Sequence, residues 1–212
     1  MTIGVLRRDR TRRRLMEAAR RLFTRLGYER TTVDEVAREA GYSKGAYYFH
    51  FASKEDVLFA LVNEWVEHRS RLLEAAVDGN APQVALTELL EVFLARSEAA
   101  RGDDQFLLEL WSQGERNSKV RHRLAQGYHS WHALLVRAFG QAQEACVLRF
   151  GGQPEAAASV ALALHDGLVM QRCLRRPASS SWDAEAFDLL SAALRLTQAP
   201  SVDKAPAVEA LA

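Results

Sequence analysis

Thr31-Thr32-Val33-Asp34-Glu35-Val36-Ala37-Arg38-Glu39-Ala40-Gly41-Tyr42-Ser43-Lys44-Gly45-Ala46-Tyr47-Tyr48-Phe49-His50-Phe51 is the stretch whose reading decides the fold. Thr32 and Glu35 have the spacing of a capping box, in which each side chain satisfies the other residue's free backbone N–H. Val33, Val36, Ala37 and Ala40 then make one apolar stripe, and Gly41 ends the helix they define. Ser43 can cap a third short helix running to about Phe49. Two short helices around a Gly-containing turn are what a helix-turn-helix requires. The second carries Lys44, Tyr48 and His50 among the small residues Gly45 and Ala46. Small residues let a helix backbone approach the floor of a DNA major groove.

Working outward, Leu15, Ala18, Ala19, Leu22, Phe23 and Leu26 repeat at helical spacing and stop at Gly27. On the other side Ser53 caps a long helix that ends near Asp78, with Glu55 and Asp56 in its first turn, where carboxylates suit the helix dipole. Gly79, Asn80 and Pro82 break the chain. Further helices are predicted at about 82–100, 104–115, 118–150, 154–175 and 183–197. Their boundaries fall at Gly102, at Asn117-Ser118, at Gly151-Gly152 with Pro154, and at Pro177 with the run Ser179–Ser181. The expected fold is all-α, with about nine helices: a three-helix head over 1–52 and a larger helical domain over 53–198. The tail 199–212 lacks periodicity and is expected to be disordered.

The net charge of +1 conceals an asymmetry. Residues 1–54 hold 13 Lys/Arg and 6 Asp/Glu, whereas the remainder holds 15 and 21. A basic head on an acidic body suits a polyanionic partner, and a solvated basic arm is the alternative. The cluster Arg7, Arg8, Arg10, Arg12, Arg13 and Arg14 carries the same choice: a minor-groove or phosphate contact, or a loose arm. Cys146 and Cys173 have no metal-ligand spacing and read as reduced core thiols. No segment has the apolar length of a membrane span and no apolar stretch follows the N-terminal arginines, so a cytoplasmic protein is expected.

At this point a resemblance becomes specific. Ala18-Ala19 with Leu22-Phe23, Gly27-Tyr28, Thr31-Thr32, Val36-Ala37, Ala40-Gly41, Ser43-Lys44-Gly45, Tyr48, His50-Phe51 and Ser53-Lys54-Glu55 resemble the DNA-binding head of the tetracycline-repressor (TetR) family of bacterial regulators. The resemblance covers residues 12–61. It implies that Thr32 bonds a phosphate through its hydroxyl and backbone N–H. It implies that Tyr42, Ser43, Lys44, Gly45 and Ala46 approach bases and phosphates, that Tyr48 and His50 reach phosphates, and that Lys54 neutralises one. Phe49 departs from the pattern, standing where relatives often have a phosphate-bonding tyrosine or histidine, and Tyr47 is expected to pack inward. The implied partners are a palindromic double-stranded operator, a small-molecule effector and a second copy, paired through the helices at about 154–175 and 183–197.

Aromatic side chains gather in the middle helices beside a few polar groups. Trp65, Phe93, Phe106, Trp111, Tyr128, Trp131, His132, His165 and Asp166 are the candidate effector-binding residues, and plain core is the alternative for each. Asp166 in an apolar helix needs a partner that the adjacent His165 cannot be. No nucleophile–base pair or phosphate loop is evident, no cofactor or metal is expected, and the chain does not read as an enzyme. A helical enzyme or ligand carrier is the competing class, with His122, His129 and His132 as the best metal candidates. An activator or dual regulator is not separable from a repressor at this level.

Overall fold

Eight α-helices follow one another in a computed structural model that describes residues 3–94, 98–148 and 152–174, with no strand among them. The first is α1 (Ile3–Leu26), which buries Leu15, Ala18, Ala19, Leu22 and Phe23 along one stripe. It stops at Gly27, whose φ of 85° only glycine adopts without strain. The next helix, α2 (Val33–Glu39), starts at the predicted capping box: Thr32 Oγ1 accepts from Glu35 N and the Glu35 carboxylate accepts from Thr32 N. Gly41, with φ 77°, turns the chain into α3 (Lys44–His50), capped by Ser43. Tyr47 is fully buried beneath α3 and its hydroxyl donates to the Ser53 carbonyl at 2.9 Å. A side chain of that size contributes about 1.5–3 kcal/mol by its burial.

The long helix α4 (Lys54–Val77) extends from this head into the body. The body adds α5 (Pro82–Leu94), α6 (Glu98–Arg116), α7 (Ser118–Glu144) and α8 (Pro154–Leu174). Four bonds join α4, or the residue capping its C-terminal end, to α7 or its N-cap: Glu55–Asn117, Asn63–Arg123, Ser70–Trp131 and Asp78–Arg137. Their sequence separations of 62, 60, 61 and 59 are nearly constant, so the two helices run in the same direction and in register. Gly127 permits a close approach, since a Cβ there would lie 2.8 Å from Val66 Cγ1. One continuous buried cluster runs from Phe23 and Tyr47 through Leu58, Val62 and Val66 to Trp131 and Ala158.

Several sequence expectations need correction. Of the helix predicted over 82–100, α5 is described to Leu94 and residues 98–100 belong to α6, and Gly102 lies inside α6 instead of bounding it. α7 stops at Glu144, short of 150, because the chain turns at Cys146 with φ 55°. Cys146 is therefore exposed and not a core thiol, while Cys173 is partly buried. The arginine cluster is helical, forming the first turns of α1. The helix predicted at 183–197 and the tail 199–212 lie outside the described residues. No helix among the described residues is long and apolar enough to cross a membrane.

Candidate nucleic-acid interface and buried polar cluster

The outer face of α3 is held up by its inner one. Tyr47 and Phe51 are buried at 0% and 4% exposure, and their rings pack 5.7 Å apart. The same helix turns Tyr48 and Phe49 outward, at 49% and 66% exposure. Ser43, Lys44 and Gly45 are exposed at its N-terminal end, and Ala46 is partly buried. Lys44 Nζ lies 3.0 Å from an Asp34 oxygen, an exposed ion pair that an incoming anion can replace at small cost. Its ammonium is held above the ordinary lysine range by that hydrogen bond and by the Asp34 charge. Tyr42 is partly buried and its hydroxyl accepts from Thr11 Oγ1 at 3.4 Å. His50 sits partly buried against Phe49, and its imidazole is shifted down by burial and by the charges of Arg8 and Arg12.

Gly45 is informative because the fold makes no demand on it. It has no left-handed backbone angle, and a Cβ there would meet only Ser43 Oγ at 3.8 Å, an ordinary contact. Nothing in the chain explains a helical glycine that costs about 0.5–1 kcal/mol relative to alanine.

Two of the residues expected at phosphates are engaged internally. Lys54 Nζ donates to the carbonyls of Tyr28 at 2.8 Å, Thr31 at 2.9 Å and Glu29 at 3.3 Å, and lies 4.2 Å from the centre of the Tyr28 ring. Its three donors clamp the turn between α1 and α2, so a phosphate at Lys54 would share the ammonium with these carbonyls or displace one of them. Thr32 Oγ1 and N both lie 2.8 Å from Glu35 Oε2, so a phosphate at this site would have to displace the Glu35 carboxylate.

In the body the structure gathers part of the predicted set. Trp111 Nε1 donates to the Tyr128 hydroxyl at 3.2 Å, which donates to Asp166 Oδ1 at 2.9 Å. Trp131 lies edge-on to Trp65 at 5.4 Å and tilted against Tyr128 at 5.0 Å. Burial pushes the Asp166 carboxyl up to about 6, against the opposing pull of Tyr128 and Arg69. His165 is buried, with its Nε2 2.9 Å from Arg69 Nη2. Trp65 and Phe106 share a pocket of about 240 Å³ with Arg20 and His68. His132 stands apart, its Nε2 3.0 Å from Ser159 Oγ and 3.2 Å from the Glu155 carbonyl. Phe93 is carried on α5. A groove of about 920 Å³ between α4 and α7, lined by Val66, Glu67, Glu74, His122 and His129 among others, includes none of the predicted effector residues. No group of three potential ligands among the described residues could hold a metal ion.

Sequence reasoning missed the charged half of this cluster. Arg172 and Asp104 form a bidentate pair at 2.6 and 3.0 Å, with both side chains only 8% exposed. Burial lowers the Arg69 guanidinium to about 10, against the opposing influence of Tyr128 and Asp104. A signal was present: Arg69 continues the buried series Val62, Val66 and Leu73 at helical spacing. A charge in an apolar stripe is informative because it must find a partner there.

α2, the Gly41 turn and α3 are a helix-turn-helix set on a body whose described residues form helices and no strand, which defines the class of the protein. Comparison with known proteins agrees with the class. Residues 15–61 match the family described as bacterial regulatory proteins, tetR family, and residues 82–197 match that of the BetI-type transcriptional repressor, C-terminal. The chain belongs to the TetR family, with a C-terminal region of the BetI type. It is 37% identical over 79 residues to the HTH-type transcriptional regulator YuxN of Bacillus subtilis, covering 37% of this chain and 27% of YuxN. It is 40% identical over 74 residues to the A-factor receptor protein of Streptomyces griseus, covering 32% and 27% of the two chains. The chain thus matches little more than a quarter of the length of these relatives. A transcriptional regulator from Saccharomonospora viridis, crystallised in complex with choline, superposes with a TM-score of 0.76 at 25% identity over 86% of this chain and 95% of that one.

Proposed function

We propose that the chain is a ligand-responsive, sequence-specific DNA-binding transcription regulator acting as a repressor, and not an enzyme. The observation that carries this reading is the outer surface of α3. Lys44 and Tyr48 are exposed, and between them lies a glycine whose small size serves nothing inside the molecule. A helix presenting a cation, a tyrosine and a bare backbone can enter a major groove and read base edges there. In this reading Tyr42, Ser43, Lys44, Gly45, Ala46, Tyr48 and His50 contact the duplex. Thr32 does so only when Glu35 yields its place, and Lys54 holds the α1–α2 turn that aims the reader. Residues 1–52 are the DNA-binding domain, 53–198 the effector-binding and dimerisation domain, and 199–212 a tail.

A second copy pairs through α8 and the segment 183–197. Support comes from α8, which exposes Val160, Leu164 and Leu174 at helical spacing, 67%, 42% and 78% accessible. Two heads on a two-fold axis suit palindromic half-sites about 34–36 Å apart. The effector is a small, mostly apolar molecule bound among Trp65, Phe106, Trp111, Tyr128, Trp131, His165 and Asp166. Aromatic faces beside a carboxylate also suit a cationic centre, and the neighbouring structure with choline is consistent with that chemistry. The chain works in the cytoplasm, where its operator is.

Selection of duplexes from a random pool by the full chain tests the reading. A palindromic sequence should be enriched, and Lys44→Ala should relax base preference at the positions it contacts. If no sequence is enriched over the starting pool, the reading is wrong.

A further inference from the structure

The arginines at the start of α1 are not an arm. They form the first turns of a continuous helix that is tied to the reading surface at three places. Arg8 lies 5.1 Å over the Phe49 ring and Arg12 5.2 Å over the Phe51 ring. Thr11 Oγ1 donates to the Tyr42 hydroxyl at the opposite end of α3. Arg8 and Arg12 thus cover the apolar end of α3, where Phe49 offers no donor of its own.

The helix leaves a second set facing outward. Arg7, Arg10 and Arg14 recur at i, i+3 and i+7, so they share one face, and all three are exposed. Thr11 fixes the position of this face next to Tyr42. The Tyr42 hydroxyl is held below its ordinary value by the Thr11 bond first, then by the charge of Arg14, which also hydrogen-bonds it, and by the charge of Arg10. The carboxylate within the run, Asp9, acts on His50, on the other side of the helix, and the ridge ends at Glu17. Seven residues of helix rise about 10 Å, which spans roughly three phosphates of one DNA strand.

We propose that Arg7, Arg10 and Arg14 form a phosphate-binding ridge, continuous with the Tyr42–Lys44 end of the reading helix, that grips the backbone of the same duplex beside each half-site. This rests on the DNA-reading function proposed above. The occupant is duplex DNA because the ridge adjoins that surface and belongs to the segment holding 13 of the 28 basic residues. The ridge holds position and carries no base preference, because arginine on phosphate reads charge and not sequence.

The test uses the full chain, a duplex enriched by it from a random 30-base-pair pool, and a scrambled duplex of the same composition. Affinity is measured by fluorescence anisotropy between 50 and 200 mM KCl. Each phosphate contact contributes about 0.9 to the slope of log affinity against log salt. Arg7→Gln/Arg10→Gln/Arg14→Gln should lower that slope by about 2.7 per engaged head on both duplexes. The loss of affinity across this salt range should shrink by about forty-fold for each engaged head, and the ratio between the two duplexes should hold. The corresponding triple lysine variant keeps the charges and should restore the slope, which separates charge from folding. An unchanged slope in the glutamine variant, with preference for the enriched duplex intact, overturns the ridge and leaves the DNA-reading function standing. A changed ratio with an unchanged slope overturns the positioning role. A wild-type chain that enriches no duplex overturns the function and the ridge together.

Discussion

Replacing Gly45 with alanine should stabilise the protein and weaken its grip on DNA. The first half follows from local geometry. A Cβ at Gly45 meets Ser43 Oγ at 3.8 Å and no other atom within 4 Å outside its own turn, so it fits without displacement. Alanine loses less backbone freedom than glycine on entering a helix, which is worth about 0.5–1 kcal/mol. For a chain of this size that raises the melting temperature by about 1–4 °C. The second half follows from what the glycine leaves open. A methyl between Lys44 and Tyr48 holds the backbone off the groove floor and lengthens contacts to base edges. Each good contact carries about 1–3 kcal/mol of discrimination, so losing one weakens specific binding by roughly 5- to 150-fold. Thermal melting followed by circular dichroism reads the first effect, and anisotropy titration of an enriched duplex at fixed salt reads the second. The opposite signs are the signature. A melting temperature that rises while affinity stays level would remove Gly45 from the interface, and one that falls would show that the space around it is not open.

Three further perturbations probe the supporting structure. Asp104→Asn leaves the Arg172 guanidinium buried without its carboxylate and should cost about 3–5 kcal/mol, whereas Asp104→Leu with Arg172→Met should recover most of that in urea unfolding; additive losses would deny the coupling. Lys54→Met strips a charged donor from three carbonyls and should lose about 1.5–3 kcal/mol with the salt slope of DNA binding unchanged. A slope lower by about 0.9 at constant stability would return Lys54 to a phosphate. Asp166 holds its proton more tightly in the folded state, at about 6 against an ordinary 3.8, so its contribution to stability declines as pH rises from 3.8 through 6. Asp166→Asn keeps an acceptor for Tyr128 and cannot ionise. Its stability relative to the wild type should therefore be higher at pH 7.5 than at pH 4.5, and a pH-independent difference would contradict the raised carboxyl.

The head was readable because its signals are local. Thr32 with Glu35, Gly41 and Ser43 act within four residues of the helix ends they define, and each appears where the spacing puts it. The inward Tyr47 and outward Tyr48 are where the family resemblance implies them. The body was readable only in outline, because its chemistry joins residues far apart in the chain. Arg172 meets Asp104 across 68 positions, and Arg69 meets His165 across 96. No periodicity reports a pairing at that range. The internal bonds of Lys54 were hidden for a related reason: its place at the start of α4 suits a phosphate, but Tyr28, Glu29 and Thr31 bring their carbonyls to it only in the folded chain. Gly102 misled because glycine weakens a helix without forbidding one.

The same long-range pairings indicate how the two ends of the molecule can answer each other. On α6, Glu109 accepts the Tyr28 backbone N–H at 3.0 Å, beside the Gly27 turn, and Phe106 lies 5.4 Å beneath the Arg20 guanidinium. From the same helix, Asp104 and Trp111 enter the buried polar cluster with Arg172 and Tyr128. A molecule that displaces Tyr128 or changes the charge of Asp166 therefore acts on the helix that also touches the turn between α1 and α2. It alters DNA affinity only by the difference between its own affinities for the two arrangements of that helix. A tenfold change in DNA binding thus requires about 1.4 kcal/mol of preference for one arrangement. A single hydrogen bond to a charged group such as Asp166, worth about 1.5–3 kcal/mol, is enough to supply it.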